Sequence, residues 1–145
     1  MKKTIILLSA AMLFLTSGLY SQNDLTKGKL TFNLTGFADN SGQVIVQLFR
    51  REDKVPAKPF MEVMAKITNK EAVVTIENLS YGVYAAILVH DKNANGYIDH
   101  RMGIPNEPLA YPNNWKLTLL SGMPTFDKLK FSFSQIKDHL TIAFD

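Results

Sequence analysis

The stretch Asp91-Lys92-Asn93-Ala94-Asn95-Gly96-Tyr97-Ile98-Asp99 carries the densest chemistry in the sequence. Oxygen-bearing side chains fall at its first, third, fifth and ninth positions, with a glycine at the sixth and an apolar residue at the eighth. That is the first three quarters of an EF-hand calcium loop. A calcium ion takes about six to eight oxygens at about 2.3–2.6 Å, and alternate residues of a tightly coiled loop can all point inward. The candidate metal ligands are Asp91, Asn93, Asn95, the main-chain carbonyl of Tyr97, and Asp99. Gly96 supplies the sharp turn and Ile98 pins the loop to the core. Met102 stands where the bidentate glutamate of an EF-hand would be, so Asp91 and Asp99 are the loop's formal carboxylates. Fewer charges mean weaker binding. Glu107 is a replacement ligand if the chain doubles back. The same residues also suit an Asx-rich turn that caps itself through side-chain hydrogen bonds.

His90 and His100 bracket this loop, and His139 lies near the C-terminus. A cluster of His90, Asp91, Asp99 and His100 would suit a transition metal and metal-assisted hydrolysis. Against that, His90 and Asp91 are neighbours at a strand end and point to opposite faces. His90 shares its face with Tyr84, Ala86 and Leu88, the setting of a core-edge histidine bonded to a backbone carbonyl. No serine or other nucleophile stands in a recognisable setting, so no catalytic residue is assigned.

The elements that must position the loop alternate with period two. Leu30, Phe32 and Leu34 point one way and Thr31, Asn33 and Thr35 the other. After the turn cluster Asp39-Asn40-Ser41-Gly42, Val44, Val46 and Leu48 alternate with Ile45, Gln47 and Phe49, and together these runs predict a β-hairpin. A charged loop with Pro56 and Pro59 follows. Residues 60–68 fit a strand or a helical face, and the strand is preferred because Asn69-Lys70 then turns into Val74 and Ile76. Val83 to Val89 is apolar on both faces, the look of a strand buried on both sides. Residues 90–125 are rich in proline, glycine and asparagine and lose the alternation, although Trp115 to Leu120 fits a short strand. Tyr97, Ile104, Tyr111 and Trp115 predict that this segment is ordered. Leu129, Phe131 and Phe133 share an inward face, and Leu140, Ile142 and Phe144 close the chain as a last strand. The expected fold is all-β: a single antiparallel β-sandwich of about seven strands, Greek-key-like, with one long ordered loop.

The chain has 145 residues and no cysteine, which excludes disulfide scaffolds, thiolate metal sites and cysteine nucleophiles. Lys2 and Lys3 precede an apolar run from Ile5 to Leu15, followed by small residues up to Ser21. This pattern reads as a secretory signal peptide over residues 1–21, with residues 22–145 as one domain. The run is too short to span a membrane. Two of the three net positive charges belong to that segment. The remainder has no clustered Lys and Arg, so no nucleic-acid footprint is expected.

Taken as a unit, Tyr81-Gly82-Val83-Tyr84-Ala85, His90-Asp91 with Asn93, Asn95-Gly96 and Asp99, Gly103-Ile104-Pro105-Asn106-Glu107, Asn113-Asn114 and Pro124-Thr125-Phe126-Asp127 resemble the secreted bacterial proteins of domain-of-unknown-function family 2141. Tyr81 stands in place of the family's proline, Met102 in place of an aromatic residue, and Leu129 in place of an alanine. Pro108-Leu109-Ala110 replaces a glycine-containing run. The resemblance implies an envelope or secreted β-sandwich, similar to transthyretin-like modules, and no established activity. The hydroxyisourate hydrolases among transthyretin-like proteins end in Tyr-Arg-Gly-Ser, whereas this chain ends Thr141-Ile142-Ala143-Phe144-Asp145. The leading expectation is therefore an exported, non-enzymatic module of the periplasm or cell surface. Calcium would order its loop, and its partner would be an envelope protein or a glycan. The hydrolase is the alternative. N-terminal sequencing of the protein from its native envelope fraction should give a start between Leu19 and Asn23; a start at Met1 or Lys2 refutes export by this route.

Overall fold

The computed structural model describes residues 25–118 and 120–144. The signal-peptide reading of residues 1–21 lies outside them. In chain order the strands are β1 (Lys27–Thr35), β2 (Gln43–Phe49), β3 (Met61–Lys66), β4 (Ala72–Ser80), β5 (Gly82–Asp91), β6 (His100–Arg101), β7 (Ile104–Pro105), β8 (Leu109–Ala110), β9 (Lys130–Phe133) and β10 (His139–Ala143). A single helical turn, α1 (Phe126–Leu129), precedes β9.

Two sheets face each other. One has the order β10-β1-β4 and the other β3-β2-β5-β8, with β9 also paired to β5. Pairing is antiparallel throughout both sheets except between β1 and β10, which run parallel. The main core lies between the sheets. Leu30, Phe32 and Leu34 of β1 meet Val44, Val46 and Leu48 of β2 there, with Phe131 and Phe133 of β9. At about 1.5–3 kcal/mol per buried large apolar side chain, this face is the main source of stability.

The alternation located the strands and their faces, but one expected pairing differs. β1 and β2 do not form a hairpin: β1 pairs β4 and β10, whereas β2 pairs β3 and β5. The reason is that each strand buries one fully apolar face, and both faces are satisfied only when the strands oppose each other across the interior. Residues 36–42 carry the chain from sheet to sheet over the buried Phe37. Two other expectations also change. Residues 115–118 join no ladder, because Trp115 packs edge-on against Tyr111, with ring centroids 4.8 Å apart, in place of pairing a strand. Leu129 does not share a face with Phe131 and Phe133. The turn α1 rotates it to the opposite side of the second sheet. Residues 61–66 form the preferred strand, with Met61, Val63 and Ala65 packed on the main core.

A second core covers the outer face of the second sheet. It joins Ile45 and Phe49 of β2 with Ala85, Ile87 and Val89 of β5, and Phe126 and Leu129 of α1. Tyr84, Ala86 and Leu88 face the main core, so β5 is buried on both sides, as its sequence predicts. Residues 92–129 supply the cover. Lys128 Nζ fixes part of it by donating to the carbonyls of Ser121 (2.6 Å) and Met123 (2.9 Å). Phe32, fully buried, and Val73, 60% exposed on β4, test the facing. Phe32→Ala should cost about 3–5 kcal/mol in urea denaturation, and Val73→Thr less than about 0.5 kcal/mol.

Candidate functional site

The loop that carries the sequence motif leaves the end of β5. β2 and β5 pair Gln43 with Asp91, and Gln43 Nε2 donates to Asp91 Oδ2 at 2.8 Å. Gly42, at φ +75°, lies against the Asp91 backbone so closely that any Cβ would run into its carbonyl. Asp91 itself is fully buried. Its Oδ2 accepts the Gly96 N–H at 2.8 Å and its Oδ1 the Asn95 N–H at 3.3 Å. Gly96 adopts φ +83°, the left-handed turn expected of it. Burial pushes the Asp91 carboxyl up, but the hydrogen bonds from Gln43, Gly96, Asn95 and Ala94 outweigh it and hold the group below the usual carboxylate range.

The rest of the loop bonds to itself. Asn93 Oδ1 accepts the Asn95 N–H (3.1 Å), and Asn95 Oδ1 accepts the Tyr97 N–H (2.8 Å). Their amide groups converge on Asp99: Asn93 Nδ2 reaches Oδ2 at 2.7 Å and Asn95 Nδ2 reaches Oδ1 at 3.2 Å. Tyr97 points its ring to solvent, and Ile98 packs on the second core. The motif residues are therefore brought together, with Asp91 at the base and Asp99 at the far side.

Met102, at the vacant twelfth position, sits at the tip of a small hairpin formed by β6 and β7. Met102 and Gly103 both have positive φ, 53° and 79°, the backbone of a type I′ turn. This hairpin folds the chain back so that Glu107 arrives under the loop. Its Oε1 accepts the Lys92 N–H and its Oε2 the Asp99 N–H, both at 3.2 Å. One carboxylate thus clamps both ends of the loop. Glu107 is buried, and its carboxyl is held above its ordinary value. Desolvation is the main cause; the N–H of Asp99 opposes it, and the charges of Asp91 and Asp99 add to it.

The histidines do not join this arrangement. His90 Nε2 lies 2.9 Å from the Ser41 carbonyl, and its ring packs edge-on against Phe37 on the main-core side of β5. His100 is exposed on β6. Among the described residues, no three His, Asp or Glu side chains stand close enough to hold a metal as placed. Sequence reasoning missed Gln43, whose partnership with Asp91 depends on β2–β5 register. It also missed Gln47, a polar residue inside an apolar strand.

The loop forms one wall of a cavity of about 1400 Å³ on the outer face of the second sheet, lined also by Gln47, Met64, Ile87 and Tyr111. The fold and loop together define an all-β sandwich with a self-bonded acidic loop beside a large open cavity. The chain belongs to the bacterial family described as "uncharacterized protein conserved in bacteria (DUF2141)", whose family model matches residues 32–141, as the sequence motifs imply. Comparison with curated proteins and with solved structures gave no match.

Glu107 yields a pH test. Its folded-state pKa is raised above 4.5, so the folded chain holds the proton more tightly than the unfolded chain. Its contribution therefore turns unfavourable as pH rises above that value and is fully unfavourable once pH passes the folded pKa. Asp91 acts in the opposite sense and in a lower window, with stability lost as pH falls below 3.8 through its depressed pKa. In chelator, the melting temperature of Glu107→Gln relative to wild type should climb between about pH 4.5 and pH 7. A pH-independent difference would show that Glu107 titrates normally.

Proposed function

We propose that this chain is an exported, non-enzymatic binding module whose 91–107 loop is ordered by calcium. An envelope protein or a glycan is its partner at the periplasmic or cell surface. The observation that supports the calcium reading is Glu107. The EF-hand spacing lacks its last carboxylate, and the β6–β7 hairpin delivers a buried one to the same loop, where the charges of Asp91 and Asp99 already act on it.

The donor chemistry fits a hard cation. Asp91, Asn93, Asn95, the Tyr97 carbonyl, Asp99 and Glu107 offer oxygen alone, with no imidazole or sulfur among them. Binding requires Asp99 to exchange the Asn93 and Asn95 amide groups for the ion, and the two asparagines to turn their carbonyl oxygens inward. A divalent charge would also relieve the mutual repulsion of Asp91, Asp99 and Glu107. Export rests on the N-terminal sequence pattern. Among the described residues no helix is long and apolar enough to cross a membrane.

Calcium should raise the melting temperature of wild type above its value in chelator, because the unfolded chain cannot assemble these ligands. Asp91→Ala should weaken calcium binding at least tenfold, roughly 1.4 kcal/mol or more, and abolish the shift. Asp91 also anchors the turn, so Asp99→Asn serves as a near-isosteric second variant that loses the charge and one of the two oxygens that accept the Asn93 and Asn95 amides. Equal wild-type melting temperatures in calcium and chelator would leave the self-capped turn as the loop's whole structure. A full calcium shift in both variants would place the ion elsewhere.

A further inference from the structure

We propose that the cavity on the outer face of the second sheet binds an uncharged, largely apolar small molecule through one hydroxyl or amide group, which Gln47 and Tyr111 anchor. This goes beyond the calcium reading and does not depend on it. Gln47 sits in the middle of β2, on the face that carries Ile45 and Phe49, and Tyr111 packs in the second core to which those two residues belong. Both side chains are more than nine-tenths buried, and both line the cavity. Gln47 Oε1 and the Tyr111 hydroxyl have no hydrogen-bond partner among the described residues, and each has less than 1 Å² of accessible surface, so binding must turn both side chains toward the cavity. Buried polar atoms are almost always paired, and an unpaired one destabilises the fold, so two of them on one cavity wall call for an explanation.

The two atoms specify the ligand's polar group. Gln47 Oε1 accepts a hydrogen bond, so the ligand must bring an O–H or N–H. The Tyr111 hydroxyl donates one, so the ligand must also bring an acceptor oxygen. A hydroxyl or a primary amide does both. Burial pushes the Tyr111 phenol up to about 12, so it remains a neutral donor at physiological pH. The lining contains no Lys or Arg that would recruit a carboxylate or phosphate; its ionisable side chains besides tyrosine are Glu62, which repels an anion, and His100. Lys128, beside Gly122 and Met123 of the rim, is held by the Ser121 and Met123 carbonyls.

The remainder of the lining specifies an apolar body. Ile45, Ile87, Ile98 and Leu109 form the floor, and Met64, Ile104 and Met123 are exposed at the rim. Exposed methionines at a cavity mouth adapt to varied apolar shapes. The volume, about 1400 Å³, exceeds that of most small-molecule pockets, so a long alkyl or fused-ring body fits.

Calorimetric titration of the purified protein with decanol, decanamide and decanoate tests this, in calcium and in chelator. At pH 8, where histidine is ordinarily neutral, wild type should bind decanol and decanamide, and bind ionised decanoate at least about tenfold more weakly, because no Lys or Arg of the lining receives the carboxylate. Tyr111→Phe and Gln47→Leu should each weaken decanol about fivefold to tenfold. Both variants should melt at or above the wild-type temperature, since each removes an unpaired buried group. Failure of wild type to bind decanol and decanamide in either buffer would overturn the proposal. So would decanoate binding as tightly as decanol, or variants that bind decanol as wild type does. A lower melting temperature for both variants would show that these groups already have structural partners, and would overturn the anchoring. A failed calcium shift with intact decanol binding would refute the loop reading alone.

Discussion

β5 is apolar on both faces, and the rest of the molecule follows from covering it. Tyr84, Ala86 and Leu88 need one cover, and Ala85, Ile87 and Val89 need another. The sheet β10-β1-β4 supplies the first. Among the described residues no further large sheet supplies the second, and the long connection from Lys92 to Leu129, with its small β6–β7 hairpin, lies over the strand. It does so with side chains spaced along irregular backbone: Ile98, Leu109, Tyr111, Trp115, Phe126 and Leu129. A connection built this way packs less completely than a sheet would, and a cavity remains between it and the outer face of β2 and β5. The cavity and the acidic loop thus come from one cause, the need to roof a two-faced strand with a segment whose regular structure is confined to short pieces.

At the strand's end the same alternation sorts two neighbours of very different chemistry. His90 goes inward to Phe37 and the Ser41 carbonyl, and Asp91 goes outward beneath the loop. A buried carboxylate is costly unless several donors converge on it. Here Gln43 and the main chain of the loop do so, and the loop is coiled because its N–H groups must reach Asp91. Glu107 is held differently. Two N–H groups face it, but burial, and after it the charges of Asp91 and Asp99, outweigh them, and its proton is correspondingly hard to remove. The two acids are poised in opposite directions within one small volume.

Much of the fold was legible because burial has a period. The faces of β1, β2, β4 and β5 follow from alternation alone, and so does the opposition of His90 and Asp91. Pairing was less legible, since alternation says which side is apolar and not which strand lies beside it. Leu30, Phe32 and Leu34 would suit a hairpin or an arch equally well, and the choice was made by the apolar face of β2 across the core. Leu129 was misplaced because a single helical turn shifts the phase of everything before it, and Phe126-Asp127-Lys128-Leu129 is too short to show a helical period. In the loop, the oxygen spacing and Gly96 were readable. The Glu107 clamp depended on the Met102-Gly103 turn, where a methionine takes a backbone conformation that its side chain does not favour. Gln47 stood in plain view as a polar residue within Val-Ile-Val-Gln-Leu-Phe, but its significance needed the cavity.

The parallel pairing of β1 with β10 has a mechanical consequence. Thr31, Phe32, Asn33, Leu34 and Thr35 lie in register with His139, Leu140, Thr141, Ile142 and Ala143. Tension applied between the segment entering β1 and the segment leaving β10 pulls these strands past one another along their length. The ladder bonds are then loaded together in shear and cannot open singly from one end. A domain with that geometry resists stretching until the whole ladder gives way, and it would transmit force between whatever holds its two flanking segments.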